Sequence, residues 1–168
     1  MTLLETARLR LRRLDQNDAD FLVELLNEPA FLDNIGDKGV RGVADVPRYL
    51  GEGPMASYAR YGYGLYLVEE SASGAPVGMC GVLKRDGLDD PDLGFAFLAR
   101  YHGRGYASEA GAAVLAYERR RHGLGRIVAI TAMENRGSMC VLAKLGFRDA
   151  GTIRLAGRDE DTRYFVLD

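Results

Sequence analysis

The segment from residue 100 to residue 107 has the residue types and spacing of an anion-binding loop. It lies between an apolar, strand-like stretch and a long, helix-like stretch, and it contains Gly103 and Gly105. Glycine allows the backbone to turn tightly, and the first amide N–H groups of a helix have no partner within the helix. The helix dipole adds positive potential at that end. The segment therefore predicts a binding site for a phosphate-bearing ligand, with a plain tight turn as the alternative.

The glycine spacing differs from the common nucleotide-binding patterns. The P-loop pattern is absent, and Ser108 stands where the dinucleotide fingerprint has its third glycine. No acidic residue stands at the position about 20 residues onward where a ribose hydroxyl would require one. A nucleotide-dependent oxidoreductase is therefore an alternative that the sequence disfavours, and competition between cofactors would test it.

The elements that position this loop belong to one domain, which we expect to span residues 1–168. The composition, 47% hydrophobic and 27% charged, is that of a globular protein. We expect a cytoplasmic location and no membrane partner, because no apolar run approaches the roughly 20 residues that span a bilayer. The net charge of -2 and the interspersed arginines predict no nucleic-acid partner. We also predict no metal site and expect both cysteines, Cys80 and Cys140, to be buried.

The hydrophobic periodicity predicts a mixed α/β sheet with helices on its faces. Residues 8–14 alternate as a strand with Leu9 and Leu11 inward, and Asp15 is a plausible N-cap for a helix that ends before Pro29. Residues 31–64 have a looser pattern, with short helices expected at 47–50 and 55–61. The later strands are predicted at residues 65–70, 76–85, 92–99, 126–133, 147–155 and 163–167, and the later helices at 105–122 and 138–145.

Several of these segments together resemble one family. Arg100-x-x-Gly103-x-Gly105, followed by Tyr106 and Ala107, is similar to the coenzyme A pyrophosphate loop of the GNAT N-acetyltransferase superfamily. Asn135-x-x-Ser138 leading to Lys144-Leu145-Gly146-Phe147 resembles its next conserved element. Thr6-x-Arg8-Leu9-x-Leu11-Arg12 and Asp92-Leu93-Gly94-Phe95 resemble the RimJ/RimL-like branch, which acetylates the N-termini of ribosomal proteins. The resemblance covers nearly the whole chain.

The resemblance implies a GNAT-like acyl-CoA N-acyltransferase fold. Such a fold has a mostly antiparallel central sheet of six to seven strands, helices on both faces and a splayed central strand pair. The implied activity is transfer of an acetyl group from acetyl-CoA to a primary amine, by direct attack in a ternary complex. A protein N-terminus or a small-molecule amine is the acceptor, and the chain is a monomer or homodimer. The alternative is a non-catalytic module that binds acyl-CoA.

The resemblance also implies which residues hold coenzyme A. The backbone at the end of the strand at 92–99 would pair with the pantetheine arm, the loop would hold the diphosphate, and Asn135 would bind the arm from the other side. Side chains of the two loop arginines would add charge near the phosphates or remain solvated. The predicted coenzyme-binding residues are Phe97, Leu98, Ala99, Arg100, Gly103, Arg104, Gly105, Tyr106, Ala107, Asn135 and Ser138.

Catalysis of this kind requires a base for the amine, a donor for the developing oxyanion and a proton for the thiolate. By resemblance, Asp92 is the base or the holder of a water relay, in place of a glutamate, and a backbone N–H near Leu98 is the oxyanion donor. Ser138 would return the proton, and its alternative role is as N-cap of the helix that follows. Leu142 occupies the position at which many relatives have a catalytic tyrosine.

The acceptor side has less pattern than the donor side. Residues 31–66 would set acceptor specificity, and Tyr58, Tyr61, Tyr63 and Tyr66 are candidates for lining the acceptor pocket, with core packing as the alternative. His102 and His122 are interpreted as structural or surface residues. Peptide N-terminus, polyamine, amino acid and antibiotic all stay open as acceptors at this stage.

Overall fold

The computed structural model describes residues 1–168, and its centre is one eight-stranded sheet. The strands in chain order are β1 Leu4–Glu5, β2 Leu9–Arg13, β3 Leu65–Glu70, β4 Pro76–Leu83, β5 Asp92–Phe97, β6 Ile127–Ala132, β7 Arg148–Ile153 and β8 Thr162–Leu167. The helices are α1 Ala19–Leu26, α2 Pro29–Asn34, α3 Val46–Glu52, α4 Pro54–Tyr61, α5 Tyr106–His122 and α6 Arg136–Lys144. None of these helices is long and apolar enough to cross a bilayer.

The sheet has the order β1-β2-β3-β4-β5-β6-β8-β7. All neighbouring strands are antiparallel except β5 and β6, which are parallel. The predicted mostly antiparallel mixed sheet is therefore confirmed. It has one strand more than predicted, because β1 is a two-residue segment that pairs with β2 and is too short to show alternation.

The N-terminal strand and the first helix follow the predicted pattern. Leu9 and Leu11 are fully buried, as the alternation of β2 requires. Asp15 caps a short 3-10 turn that leads into α1, and Asp18 completes a capping box with it. Arg12 of β2 donates to both carboxylate oxygens of Asp18, which ties the turn to the sheet edge.

The region between α1 and β3 contains more helix than the sequence pattern indicates. The expected short helices are present as α3 and α4, but α2 was not predicted. Pro29 stands in its first turn, where the missing N–H of proline costs nothing and its fixed φ favours the helix. The proline that ends one helical pattern therefore begins the next helix.

Helices cover both faces of the sheet. Helix α5 packs through Ala110, Val114 and Leu115 against one face, in the cluster that contains Leu9, Leu11 and Phe165. Helices α1 and α3 pack against the other face, where Leu22, Leu25 and Leu50 meet Leu67 and Met79. The sheet is thus buried on two sides, and its edges and the gap within it are the places left for a ligand.

The gap lies between β5 and β6. These two strands share a single residue pair, Asp92 with Val128, and the Val128 N–H donates to the Pro91 carbonyl at 2.9 Å. Beyond this point the strands separate, which confirms the predicted splayed pair. Backbone groups on facing edges of both strands are therefore left without sheet partners.

Candidate functional site

The splayed strands open a cleft of about 1280 Å³. Residues 93–97 of β5 form one wall, and residues 129–131 of β6 with the start of α6 form the other. The loop around residues 101–108 also lines the cleft, and so do α2, α3 and their flanking segments. The cleft therefore connects the glycine loop to the region that the sequence predicts as the acceptor side.

The glycine loop has the conformation that its sequence predicts. Gly103 and Gly105 have φ angles of 77° and 82°, which residues with a Cβ rarely adopt. The first hydrogen bond of α5 runs from the Glu109 N–H to the Gly105 carbonyl, at 3.0 Å. The amides of Tyr106, Ala107 and Ser108 donate to no protein group. Three free donors at the positive end of a 17-residue helix are a suitable partner for an anion.

The N-terminal Thr-x-Arg pattern holds this loop in place. Glu109, in the first turn of α5, accepts hydrogen bonds from the Thr6 hydroxyl (2.5 Å), the Arg8 N–H (3.0 Å) and Arg8 Nε (2.8 Å). Arg8 also donates to the Arg104 carbonyl at 2.9 Å, and its guanidinium lies over the Tyr106 ring at 4.6 Å. Burial opposes ionisation of Glu109, but the hydrogen bonds from Thr6 and Arg8 outweigh it and lower the pKa of this carboxyl. The loop is therefore anchored to β2 before any ligand binds.

The two loop arginines do not line the cleft. Arg100 forms an ion pair with Glu24 of α1 at 2.5 Å. Arg104 lies 3.8 Å from the Glu70 carboxylate and 5.0 Å from the centre of the Tyr101 ring. Both side chains are more than half exposed. Both arginines thus lie on the surface beside the loop, and their role toward the phosphates stays a prediction.

The end of β5 differs in detail from the prediction. The Leu98 N–H donates to the Val77 carbonyl at 2.9 Å, so it belongs to the sheet and is not free for an oxyanion. The Ala99 N–H is also taken, by the Glu28 carboxylate at 2.9 Å. Because hydrogen bonding alternates along an antiparallel pair, the Phe97 N–H faces the gap instead. Phe97 thus provides the free amide that we had expected near Leu98.

His102 occupies part of the same strand end. Its Nε2 hydrogen-bonds to the Phe97 carbonyl at 2.7 Å, which requires the tautomer with the proton on Nε2. His102 also lines the cleft. A ligand arm that pairs with the Phe97 carbonyl therefore shares this oxygen with the imidazole or replaces it.

Asn135, and not Ser138, caps α6, so the predicted capping role of Ser138 was wrong. Asn135 is the N-cap, and its side-chain oxygen accepts from the Ser138 N–H at 3.2 Å. The helix begins at Arg136, so Ser138 lies within its first turn and does not cap it. Its hydroxyl makes no protein hydrogen bond, and the residue lines the cleft. Leu142, one turn further, is buried in the core beneath it.

Asp92 lies at the point where β5 and β6 part. It is fully buried and forms an ion pair with Arg85, whose Nε is 3.0 Å and 3.2 Å from the two carboxylate oxygens. Burial raises the pKa of Asp92 above its ordinary value, although the nearby Arg85 opposes the shift. Arg85 borders the cleft, whereas Asp92 does not.

Other candidate residues lie away from the cleft. The four predicted tyrosines do not line the cleft. Tyr58, Tyr63 and Tyr66 are buried in the hydrophobic core, and Tyr61 packs against the edge of that core. They serve in core packing, the alternative that the sequence raised, and a different tyrosine, Tyr49 of α3, lines the cleft.

The two cysteines and His122 lie in different environments. Cys80 is buried, but Cys140 is exposed on α6 and borders the cleft, so the expectation that both are buried was wrong for Cys140. Helix α6 covers the sheet with Leu142, and Cys140 points elsewhere because it lies two residues earlier on the helix. His122 lies 3.3 Å from the buried Glu118 at the far end of α5, which is a structural position.

Sequence reasoning missed two cleft residues. The Thr131 hydroxyl is buried in the β6 wall and has no hydrogen-bond partner. A buried hydroxyl without a partner costs about 1–3 kcal/mol, so its position in a ligand cleft is notable. Arg85 was missed as well, since nothing in the sequence links it to Asp92 across the intervening turn. Thr131 was missed because threonine is common in strands and nothing in the sequence distinguishes this threonine from the others.

Comparison with known proteins agrees with this architecture. The sequence profile of the acetyltransferase (GNAT) domain family matches residues 8–148. The Bacillus subtilis "Uncharacterized protein YkkB" is 28% identical over 156 residues, which are 91% of this chain and 89% of YkkB. The crystal structure of a GNAT-family acetyltransferase from Bacillus anthracis has a TM-score of 0.80 and 25% identity, covering 99% of this chain and 98% of the other. Mycobacterium smegmatis RimJ in complex with CoA-disulfide has a TM-score of 0.78 and 22% identity, covering 95% and 81%.

Proposed function

Because the chain belongs to the acetyltransferase (GNAT) family, we propose that it transfers the acetyl group of acetyl-CoA to a primary amine. One observation carries this proposal: three free amides at the start of α5 face one end of a long cleft between splayed strands. The negative charge of a diphosphate suits the free amides, and an extended arm suits the long cleft. A cosubstrate that has both therefore fits this site.

The residues of the cleft fit such a cosubstrate. Gly103 and Gly105, with the amides of Tyr106 and Ala107, would hold the diphosphate. Along the arm, the Phe97 amide is free, and the Asn135 side-chain nitrogen has no partner although its oxygen caps α6. Thr131 adds a buried hydroxyl without a partner. The structure of RimJ with CoA-disulfide is that of a protein with the same fold, and it supports the choice of coenzyme A.

The chemistry needs little from the protein beyond position and charge. Acetyl-CoA supplies the activated acetyl thioester, and the amine attacks it directly when both are bound. The Phe97 N–H is our candidate donor to the developing oxyanion, in place of the Leu98 N–H. Ser138 is our candidate donor of a proton to the thiolate, because its hydroxyl is unpaired and borders the cleft.

Asp92 acts, in this proposal, through water or through Arg85. Its carboxylate does not border the cleft, so a proton from the amine reaches it only by a relay. The raised pKa of Asp92 makes it a stronger base than an ordinary aspartate. The same carboxylate holds Arg85 at the cleft wall, so it is also a positioning residue.

The first test is a thermal-shift titration with acetyl-CoA, coenzyme A and NAD. A ligand at 100 times its dissociation constant stabilises the fold by about 2.7 kcal/mol. We expect stabilisation by both coenzyme A species and none by NAD. No stabilisation by acetyl-CoA would contradict the proposal.

A second candidate function is a module that binds acyl-CoA without turnover. Two observations favour it: Leu142 stands where many relatives have a tyrosine, and Asp92 is buried in an ion pair with Arg85. Release of free coenzyme A thiol with a panel of amines separates the two functions. Stabilisation by acetyl-CoA without amine-dependent thiol release would favour the binding module.

A further inference from the structure

A group of basic residues surrounds the end of the cleft that lies far from the glycine loop. Asp92 begins β5 and the glycine loop follows its last residue, so the two are about 17 Å apart at the usual rise per residue of a strand. Arg85 and Lys38 border the cleft at this end. Arg158, in the connection between β7 and β8, does not line the cleft itself but is near enough for its charge to influence the pKa values of Lys38 and Asp92.

Packing explains why these three basic residues from distant segments come together. Leu88, in the turn after Arg85, and Leu155, in the β7–β8 connection, belong to one small buried cluster. The Arg158 N–H donates to the Leu155 carbonyl at 3.1 Å, which turns the connection back toward that cluster. The β7–β8 connection is thereby held against the turn that carries Arg85.

Two of the three basic residues have no carboxylate partner. Arg85 is paired with Asp92, whereas Lys38 and Arg158 form no ion pair. Lys38 is an exposed residue, yet shielding of its ammonium group from part of the solvent, together with the nearby Arg85 and Arg158, lowers the pKa of that group. No carboxylate acts on Lys38 in the opposite direction. An anion placed among these groups would relieve their mutual repulsion.

We propose that Lys38, Arg85 and Arg158 form an anion subsite, so that the acceptor is a primary amine that carries a carboxylate or phosphate group. This inference rests on the proposed transferase function and names the acceptor class for it. The subsite lies at the acceptor end of the cleft, beside the start of β5. It would hold the anionic end of the acceptor and leave its amine to face the middle of β5.

The cleft also contains acidic residues, which could instead bind a cationic acceptor. Glu28 is bonded to the Ala99 amide, and Asp37 is paired with Arg41. Glu52 of α3 borders the cleft, is exposed and has no protein partner. If Glu52 dominated recognition, a polycationic amine would be the better acceptor. The test therefore includes such an amine.

The experiment compares matched amines with the full chain at a saturating concentration of acetyl-CoA, with thiol release as the readout. The pairs are 4-aminobutanoate with 4-aminobutanamide, and 2-aminoethyl phosphate with 2-aminoethanol, and spermidine is the polycation. We expect kcat/KM to be at least tenfold higher for the anionic member of at least one pair. Equal values within both pairs, or a preference for spermidine, would overturn the subsite.

Variants connect that preference to the named residues. In the double variant Lys38→Met, Arg158→Gln, the ratio of anionic to neutral kcat/KM should fall at least tenfold. The matched control is Arg154→Gln, in the same β7–β8 connection, whose guanidinium pairs with Asp161 and, unlike that of Arg158, influences the pKa of neither Lys38 nor Asp92. It should leave the ratio unchanged. An unchanged ratio in the double variant would refute the assignment.

A binding measurement separates failure of the subsite from failure of the transferase function. In the chain saturated with coenzyme A, glutarate should raise the melting temperature more than glutaramide, and the double variant should lose that difference. If acetyl-CoA neither binds nor is consumed, the transferase proposal fails, and the same comparison of glutarate with glutaramide is made on the free chain. Absence of any glutarate effect there overturns the subsite by itself.

Discussion

Gly105→Ala tests the loop conformation with the smallest possible change. Gly105 has a φ of 82°, and a left-handed conformation costs a residue with a Cβ about 1–2 kcal/mol. A Cβ at this position would lie 3.4 Å from Arg8 Nη2, the far end of a flexible side chain. The penalty is therefore conformational and not steric.

The expected change in the dissociation constant depends on whether the free or the bound protein carries this conformational strain. The contacts that anchor the loop are made to the Arg104 carbonyl and the Glu109 carboxylate, whereas the Gly105 N–H has no protein partner. In the free protein, residue 105 can therefore relax to a negative φ and turn the neighbouring amides away. Coenzyme A binding then has to restore the original conformation, and the binding free energy becomes weaker by the same 1–2 kcal/mol. At 1.4 kcal/mol for each factor of ten, the dissociation constant should rise about five- to thirtyfold.

The same helix offers a matched control. Gly123, at the other end of α5, has a φ of 61°, and a Cβ there would meet nothing within 4 Å. Gly123→Ala should lower the free energy of unfolding, measured by urea denaturation, and leave the dissociation constant for coenzyme A unchanged in isothermal titration calorimetry. If Gly105→Ala binds coenzyme A as tightly as the natural chain does, the assignment of the free amides to the ligand is refuted.

Four further changes test the neighbouring assignments. Asp92→Asn should lower kcat more than it weakens coenzyme A binding, and an unaltered pH–rate profile would remove Asp92 as the base. Because the folded-state pKa of Asp92 is raised, its contribution to stability is present at low pH and is lost as pH rises through that pKa. The melting temperature of Asp92→Asn relative to the natural chain should therefore increase from pH 4 to pH 7, and a decrease would mean that the Arg85 ion pair dominates. Ser138→Ala should slow turnover modestly without changing the melting temperature, whereas Asn135→Ala should cost about 1 kcal/mol of stability through the lost cap. Glu109→Gln should lower the free energy of unfolding, measured by urea denaturation, by about 1 kcal/mol, because it weakens charge-assisted bonds from Arg8. An unchanged free energy of unfolding would contradict the anchoring role.

Local patterns predicted most elements of the fold. The alternation of Leu9 and Leu11 specified a strand, and the long run after Gly105 specified a helix, because burial imposes periods of 2 and 3.6 residues on the chain. Short elements escaped prediction for the same reason. Strand β1 has two residues, and α2 has six, so neither shows a full period.

The candidate site was predictable where backbone conformation carries the role. A glycine pair before a helix is visible in the sequence, and Gly103 and Gly105 do adopt the conformations that only glycine tolerates easily. The Thr6-x-Arg8 pattern was recognised by resemblance, yet its partner Glu109 lies 101 residues beyond Arg8. No local rule connects positions so far apart.

The sequence by itself therefore determined the order of the strands and helices along the chain and the glycine loop, since these depend on neighbouring residues. The tertiary structure alone decided which donors and charges are free. It assigned the Leu98 amide to the sheet and left the Phe97 amide facing the gap, because sheet hydrogen bonding depends on the pairing partner. It also paired Asp92 with Arg85 and brought Arg158 toward Lys38, because packing of Leu88 against Leu155 joins segments that are distant in sequence.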